Sequence, residues 1–579
     1  MKLTRRDFLK VSGAATAGLA LNGMGIDFSP VEAYAWELRT RDAKETPTIC
    51  CYCAVGCGIL CHTDKKTGKV IYTEGDADNP INGGALCAKG ASVYQLAQND
   101  KRIVNVLYRA PNSDKWQVKK WDWALKEIAK RVKKTRDASF VEKNEQGQVV
   151  NRCNAIASVG SAAFLEKEGS ISNSGRRAQW RYKAQEPAGM SKPDGDIIYE
   201  LFLQIRELYA KDKKAKFPDP IFNLKWDYAT EHKFDPHLVA KTINGYWTKD
   251  TTAGDKTYKK GEQVAAFAML EDDGSTACGN WIYCQSYNQD GNNMARRDKT
   301  DPSGIGLYPK WSWAWPVNRR IIYNRASVDP AGKPWDTKRT VVEYVADIKD
   351  GKYLPGGAWK GDVPDGPWPP LKNPDGSARE DGKLAFIMKP DGYASLFGPG
   401  LKDGPFPEHY EPLECPVDKQ PFGAQLTNPV ALTFKTDKDV LMSCDPRFPF
   451  VGTTYRVTEH WQTGVLSRYV PWLIEAEPQV FVEMSEQLAG LKAISNGEKV
   501  IVQSPRGSLE AVAIVTKRLK PFIVQGQEVH LVGLPWHFGW IYPKDGGDSA
   551  NLLTPSVGDP NTRIPESKAF MVNVLRKGA

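Results

Sequence analysis

Hydrophobic positions along this chain recur in short runs, and their spacing sorts it into regions. Trp121, Leu125, Ile128 and Val132 return at intervals of four, three and four, which predicts one face of an amphipathic helix. Residues 69–73 alternate with period two, like a strand. Near the carboxyl end, residues 499–503 and 510–516 flank Ser504-Pro505-Arg506-Gly507-Ser508, which predicts a hairpin. Residues 528–532 predict a further strand, running into Gly533-Leu534-Pro535-Trp536-His537-Phe538-Gly539. Before these, residues 478–488 read as a helix, with Asn496-Gly497 as the turn that follows. Short strands with Gly-rich returns predict a small barrel of six or seven strands over about residues 427–579.

Between the two ends the pattern fades. Residues 167–425 are polar, turn-rich and poor in long periodic elements, with Leu354-Pro355-Gly356-Gly357 and residues 365–370 reading as surface loops. The exception is residues 311–323, WSWAWPVNRRIIY, which read as a tryptophan-rich core beside solvated arginines. No stretch reaches the eighteen apolar residues of a membrane span, and no internal repeat is present. With 579 residues there is material for several domains. The formal charge of +9 suits anionic ligands without singling out nucleic acid.

Cysteine usage changes the picture. Five of the eleven cysteines fall between Cys50 and Cys61, which points to metal chemistry and not to a disulfide scaffold. Cys50, Cys53, Cys57 and Cys87 form C-x2-C-x3-C-x29-C, three clustered thiolates and a fourth returned by a longer loop. Soft thiolates suit an iron–sulfur cluster or zinc. The clustered spacing leans to a cubane, with structural zinc as the competitor. Gly56, Gly58, Gly83 and Gly84 leave room for backbone to approach a cluster. Cys51, Cys61 and Cys153 read as structural bystanders, Cys153 in a small-residue packing run, and Cys278, Cys284, Cys415 and Cys444 lack ligand spacing.

The amino terminus carries an address. Thr4-Arg5-Arg6-Asp7-Phe8-Leu9-Lys10, a weakly apolar stretch over residues 11–26 and Ala33-Tyr34-Ala35 make a twin-arginine export signal. That route carries folded proteins, so the mature chain is expected to begin near Trp36 in the periplasm.

Several of these segments together resemble one family. They are the leader, residues 47–58 (PTICCYCAVGCG), 83–90 (GGALCAKG), 152–163 (RCNAIASVGSAA), 169–176 (GSISNSGR) and 311–327 (WSWAWPVNRRIIYNRAS). Residues 455–464 (YRVTEHWQTG), 504–507 (SPRG) and 548–554 (DSANLLT) add the carboxyl-terminal barrel. All are similar to the catalytic alpha subunit of periplasmic, respiratory-type formate dehydrogenases, which are molybdenum or tungsten bis-pterin oxidoreductases. The resemblance implies a mixed α+β, multidomain chain: signal peptide 1–35, [4Fe–4S] domain 36–110, a shortened molybdopterin oxidoreductase region 111–426 with remnant α/β structure, and a pterin-dinucleotide-binding β barrel 427–579.

It also implies roles. Cys50, Cys53, Cys57 and Cys87 hold a [4Fe–4S] cluster, and Lys89 relays electrons between pterin and cluster. Thr458, His460, Thr463, Arg506, His537 and Asn551 contact molybdopterin guanine dinucleotide, Arg506 through phosphate. Formate would be oxidised to carbon dioxide, with an iron–sulfur beta subunit and a membrane cytochrome b subunit as partners. No nucleic-acid partner is implied.

One departure bears on activity. In the family, the segment like 152–163 is followed by a metal-bound selenocysteine or cysteine, a histidine, and two large α/β domains that supply a substrate arginine. Here only Phe164-Leu165-Glu166-Lys167-Glu168 separates Ala163 from Gly169. The chain reads as an internally shortened alpha subunit, either an inactive truncated form or an electron-transfer or assembly subunit that keeps the cluster lobe and barrel.

Overall fold

The computed structural model describes residues 40–578 apart from 155–160, 174, 303, 305, 315–326, 362–368, 380–397, 399, 407, 435–439 and 540–545. The leader, part of the 152–163 segment and the paired arginines near residue 320 therefore lie outside the described residues.

Strands β1 (Lys44–Ile49), β2 (Gly58–Thr63) and β3 (Val70–Gly75) form an antiparallel sheet in that order. Ile49 pairs with Gly58, so the ends of β1 and β2 clamp the loop that carries Cys50, Cys53 and Cys57. Ile59 pairs with Gly75, which brings the segment leading to Cys87 alongside. Ile59, Cys61 and Val70 fall on the inner face and pack with Tyr52, Val93, Tyr94 and Leu165 in a small core.

The periodic segment is helix α1 (Trp121–Ser139), packed against α2 (Asp194–Lys211). Leu125 is buried, while Trp121, Ile128 and Val132 are half-buried. Lys133 bridges Asp137 and Asp212, and Arg136 donates to Tyr209 Oη at 2.9 Å. Between the helices, β4 (Gly169–Ser172) pairs with β5 (Ala178–Arg181), a strand buried along its whole length. Two-stranded ribbons and turns follow through the middle region. Trp311 and Trp313 are buried there, as the core reading expects.

The carboxyl-terminal unit is a closed six-stranded barrel. Its strands are β6 (Phe450–Tyr455), β7 (Phe481–Ser485), β8 (Lys499–Ser504), β9 (Gly507–Thr516), β10 (Leu531–Pro535) and β11 (Phe570–Arg576). The order around the barrel is β6-β10-β7-β9-β8-β11, with β6–β10 and β7–β9 parallel and β11 closing onto β6. The predicted hairpin is β8–β9, tied from Lys499–Val512 to Ser504–Gly507. Val482, Met484, Val500, Val502, Val532, Leu534, Phe570 and Val572 fill the interior.

Two expectations are corrected. The helix expected over residues 478–488 is strand β7 followed by a short helix, Glu486–Lys492. All five β7 side chains are buried, so pairing inside the barrel overrides a periodicity too short to separate helix from strand. Ser485 Oγ accepts the Leu488 N–H at 3.0 Å and caps the helix that follows. The single strand expected over 528–532 is divided at His530 between a surface ribbon ending at Val529 and β10. Among the described residues, no helix is long and apolar enough to cross a membrane.

Candidate cluster and pterin site

The four cysteines are gathered by polar side chains that their spacing alone does not name. The Cys50 N–H donates to the Cys57 carbonyl at 2.9 Å, closing the first loop. Asn82 then holds the second loop to the first. Its Oδ1 accepts the Gly58 N–H at 3.0 Å, and its Nδ2 donates to the carbonyls of Gly58 and Ala85 at 3.1 and 2.8 Å. Gln179, buried on β5, donates to the Gly56 carbonyl at 2.9 Å and accepts from Asn79 at 3.0 Å. Gly56 has φ +66°, and a Cβ there would stand 2.9 Å from Asn173 Nδ2, so both conformation and space call for glycine.

Burial pushes the Cys50 thiol up to about 12, and the sulfurs of Cys57, Cys87 and Cys53 add to the shift. Burial raises Cys57 too, with Cys53 and Cys87 as further causes. The four sulfurs thus lie within electrostatic reach of one another. A cavity of about 470 Å³ opens beside the loop, lined by Cys50, Cys53, Gly56, Asn173 and Tyr283 among others.

The bystander cysteines divide. Cys61 is fully buried in β2 and Cys51 packs half-buried on the same core, as expected. Cys153, expected in a buried packing run, is exposed. The strand it follows, Val149–Arg152, is exposed at every residue, so nothing among the described residues covers it.

Cys87 leads into a single-turn helix, Ala88–Ala91, which places Lys89 at the boundary with the barrel. Lys89 is buried, and its Nζ donates to the Thr458 carbonyl. Tyr52 Oη, between two cluster cysteines, donates to the Leu466 carbonyl at 3.3 Å, and the Tyr52 and Trp461 rings meet edge-on at 6.3 Å. Tyr94 meets Trp472 in the same way at 5.6 Å. The cluster lobe therefore docks directly on the barrel loop over residues 458–472.

Inside that loop the two histidines serve as framework. His460 shares one ring nitrogen with Ser467 Oγ at 3.2 Å and the other with the Glu477 carbonyl at 2.7 Å. His537 Nε2 accepts the Val457 N–H at 2.9 Å, and its Nδ1 donates to the Gln462 carbonyl. Burial lowers both, His537 to about 4, so each is neutral near pH 7. Burial, and next the charge of Glu459, raises the Glu477 carboxyl to about 7. Thr458 and Thr463 stay exposed on the same loop, and Asn551 is exposed on the turn Ala550–Leu552.

Arg506 has a different partner from the one expected. Its guanidinium makes a two-point bond to Glu414, at 2.6 and 2.7 Å, and further bonds to the carbonyls of Leu553 and Val440. With both charges buried, the fork that would clamp a phosphate is occupied from within the chain. It lies at the β8–β9 hairpin, bonded to Leu553 two residues beyond Asn551. Glu414, Asn82 and Gln179 carry no local motif, because their roles come from partners 92, 24 and 123 residues away.

Family comparisons agree with this division. Residues 43–99 match the Molybdopterin oxidoreductase Fe4S4 domain, and residues 450–571 match the Molydopterin dinucleotide binding domain. Residues 2–21 match the twin-arginine translocation signal sequence, so the chain carries a signal for periplasmic export. An Fe4S4 domain docked on a pterin-dinucleotide-binding barrel defines a molybdopterin oxidoreductase.

Within that class the chain belongs to the formate dehydrogenase alpha-subunit family. The formate dehydrogenase subunit alpha of Megalodesulfovibrio gigas is 33% identical over 1027 aligned positions that take in 100% of both chains. The formate dehydrogenase 2 subunit alpha (cytochrome c-553) of Nitratidesulfovibrio vulgaris is 51% identical over 421 residues, covering 72% of this chain and 39% of the relative. The nitrate-inducible formate dehydrogenase major subunit of Escherichia coli K12 is 43% identical, again over 72% of this chain and 39% of the relative. An alignment 1027 positions long that uses all of a 579-residue chain leaves the surplus of the M. gigas relative opposite gaps inside this chain.

Proposed function

We propose that this chain is the electron-transferring half of a formate dehydrogenase alpha subunit: it holds a [4Fe–4S] cluster and one side of a bis-pterin centre, and does not oxidise formate unaided. The family reaction is HCOO⁻ → CO2 + H⁺ + 2e⁻, and the bound molybdenum or tungsten bis-pterin supplies that two-electron chemistry. What this chain contributes is position and charge. Cys50, Cys53, Cys57 and Cys87 hold the cluster. Lys89, an ammonium between cluster lobe and barrel, would stabilise added negative charge on either cofactor. Thr458, Thr463 and Asn551 are the exposed groups proposed to meet the pterin dinucleotide, on loops that His460 and His537 hold in place.

The observation that carries the reading is the Lys89–Thr458 contact, which joins the two modules directly. The short connection itself is well built. Glu166 is fully buried, bonded by Arg102 at 2.6 and 2.7 Å, the Ala163 N–H at 2.9 Å and Gln185 at 3.1 Å. By contrast, the five residues between Ala163 and Gly169 supply no cysteine, histidine or arginine to a metal centre or to formate. Electrons would leave to a separate iron–sulfur beta subunit, and onward to a membrane cytochrome b or, as one relative's name records for that protein, a cytochrome c-553.

Protein made in its native host tests this. Expected are iron and sulfide of one cubane, the EPR signal of a reduced cluster, little molybdenum or tungsten, and no formate-dependent dye reduction. Near-stoichiometric metal with sustained turnover by the isolated chain would overturn the half-site reading.

A further inference from the structure

On the sheet that carries the cluster loop, one strand after another contributes a group to a second cluster of ligands. Glu45 on β1, His62 on β2 and Glu74 on β3 bring one carboxylate oxygen, one imidazole nitrogen and another carboxylate oxygen within 4.8 Å of one another. Register explains the meeting. Glu45 lies directly opposite His62, whereas Glu74 faces Leu60 and reaches His62 on the diagonal.

The imidazole defines what the cluster can take. His62 is 1% exposed. Its Nε2 lies 2.9 Å from Glu74 Oε1, so in the neutral ring Nε2–H is the donor and the lone pair falls on Nδ1. Nδ1 is buried with no hydrogen-bond partner, and it faces Glu45 Oε1 at 3.9 Å. The buried Nδ1 lone pair is thus aimed toward the Glu45 carboxylate without a hydrogen bond of its own.

We propose that Glu45, His62 and Glu74 form a site for a divalent ion of the zinc class, bound between His62 Nδ1 and Glu45 and oriented by Glu74. Zinc bonds imidazole nitrogen and carboxylate oxygen at about 2.0–2.2 Å, so an ion between the two atoms needs only a small closing of the 3.9 Å gap. A second ring nitrogen bonded to a carboxylate is the usual support of a metal-binding histidine. One imidazole with carboxylates favours zinc over magnesium or calcium, which prefer all-oxygen shells. The open side, next to half-exposed Glu45 and Glu74, leaves room for water ligands. The ion would pin β1, β2 and β3 together behind the thiolate loop, so its role is a staple for the electron-transfer lobe.

The test uses the full chain with its iron–sulfur cluster in place, because empty cluster cysteines would themselves take zinc. Protein is equilibrated with zinc sulfate, desalted and analysed for iron and zinc, and the affinity is measured by calorimetry. One added zinc per chain with iron unchanged is expected. His62→Gln and Glu45→Gln should each weaken binding at least tenfold, and excess magnesium should not compete. Glu45 is half-exposed, so its variant remains informative if the His62 variant fails to fold. No uptake by the cluster-loaded chain, uptake only at the expense of iron, or uptake unchanged in both variants would each overturn the site.

Discussion

Arg506 and Glu414 face each other in a two-point ion pair, with side chains 5% and 0% exposed, that joins the β8–β9 hairpin to the segment before the barrel. Glu414 also accepts the N–H groups of Met442 and Met571, each at 3.0 Å. Removing one partner strands the other charge in a dry site, which costs about 3–5 kcal/mol. Arg506→Met and Glu414→Gln should therefore each lower the denaturant midpoint sharply, while the double variant Arg506→Met/Glu414→Leu should recover much of the loss. A small effect from either single variant would show that the pair is open in solution.

The cysteines should separate cleanly. Cys50→Ser and Cys87→Ser are expected to lower iron and sulfide well below the about four of each that a cubane brings. Cys153→Ser should leave both unchanged. Cys61→Ala should also keep the cluster, because its sulfur lies in the core; its cost is a cavity, about 1–2 kcal/mol of stability. Stoichiometric zinc with no iron in protein from the native host would instead mean that the loop is a zinc site.

His537 makes stability depend on pH. Its folded value of about 4 lies below the ordinary histidine value, because burial disfavours the charged ring. Above about pH 6.5 the ring is neutral in both states and its contribution is complete. As pH falls from there toward 4, the unfolded chain takes up a proton that the folded chain refuses, and stability drops by on the order of 2–3 kcal/mol. His460, lowered by burial, acts in the same direction. Glu477 acts oppositely, since its raised value makes stability fall as pH climbs from its ordinary range toward 7. Chemical denaturation at pH 7.5 and 5.5 should show a smaller pH difference in His537→Gln than in the parent chain.

Gly464 tests the loop that receives Lys89. Its φ is +81°, and a Cβ there would fall 2.1 Å from the His537 carbonyl oxygen. Gly497 has φ +84° with open space around it. Gly497→Ala should cost only the left-handed backbone penalty, about 1 kcal/mol. Gly464→Ala should cost several times more, because the loop must move off His537. Equal effects in thermal unfolding would show that this loop is not as tightly held as its contacts indicate.

Local pattern revealed the elements that rest on local contacts. The α1 face, the β8–β9 hairpin and the Asn496-Gly497 turn were all legible. Strand β7 was not, because five buried residues carry the same pattern in either conformation and only its neighbours β9 and β10 decide. The pterin-contact expectations were hardest to read. His460, His537 and Arg506 are polar residues whose bonds end within the protein, and their partners lie 7 to 92 residues away. A motif can say that such residues matter without saying whether they face a ligand or support the loop that does.

The closing of the barrel by its last strand sets an order of events. Strand β11 pairs with β6 on one side and β8 on the other, so one partner of β6 lies more than a hundred residues later in the chain. Non-local pairing of this kind folds slowly. The cluster sheet, whose strands span only Lys44 to Gly75, can form long before. The Lys89–Thr458 contact joins the lobe of that sheet to the loop leaving β6, so it depends on both units being in place. A chain that carries a signal for a route accepting folded cargo is expected to have this seam closed before export, so anything to be enclosed between the two halves must arrive beforehand.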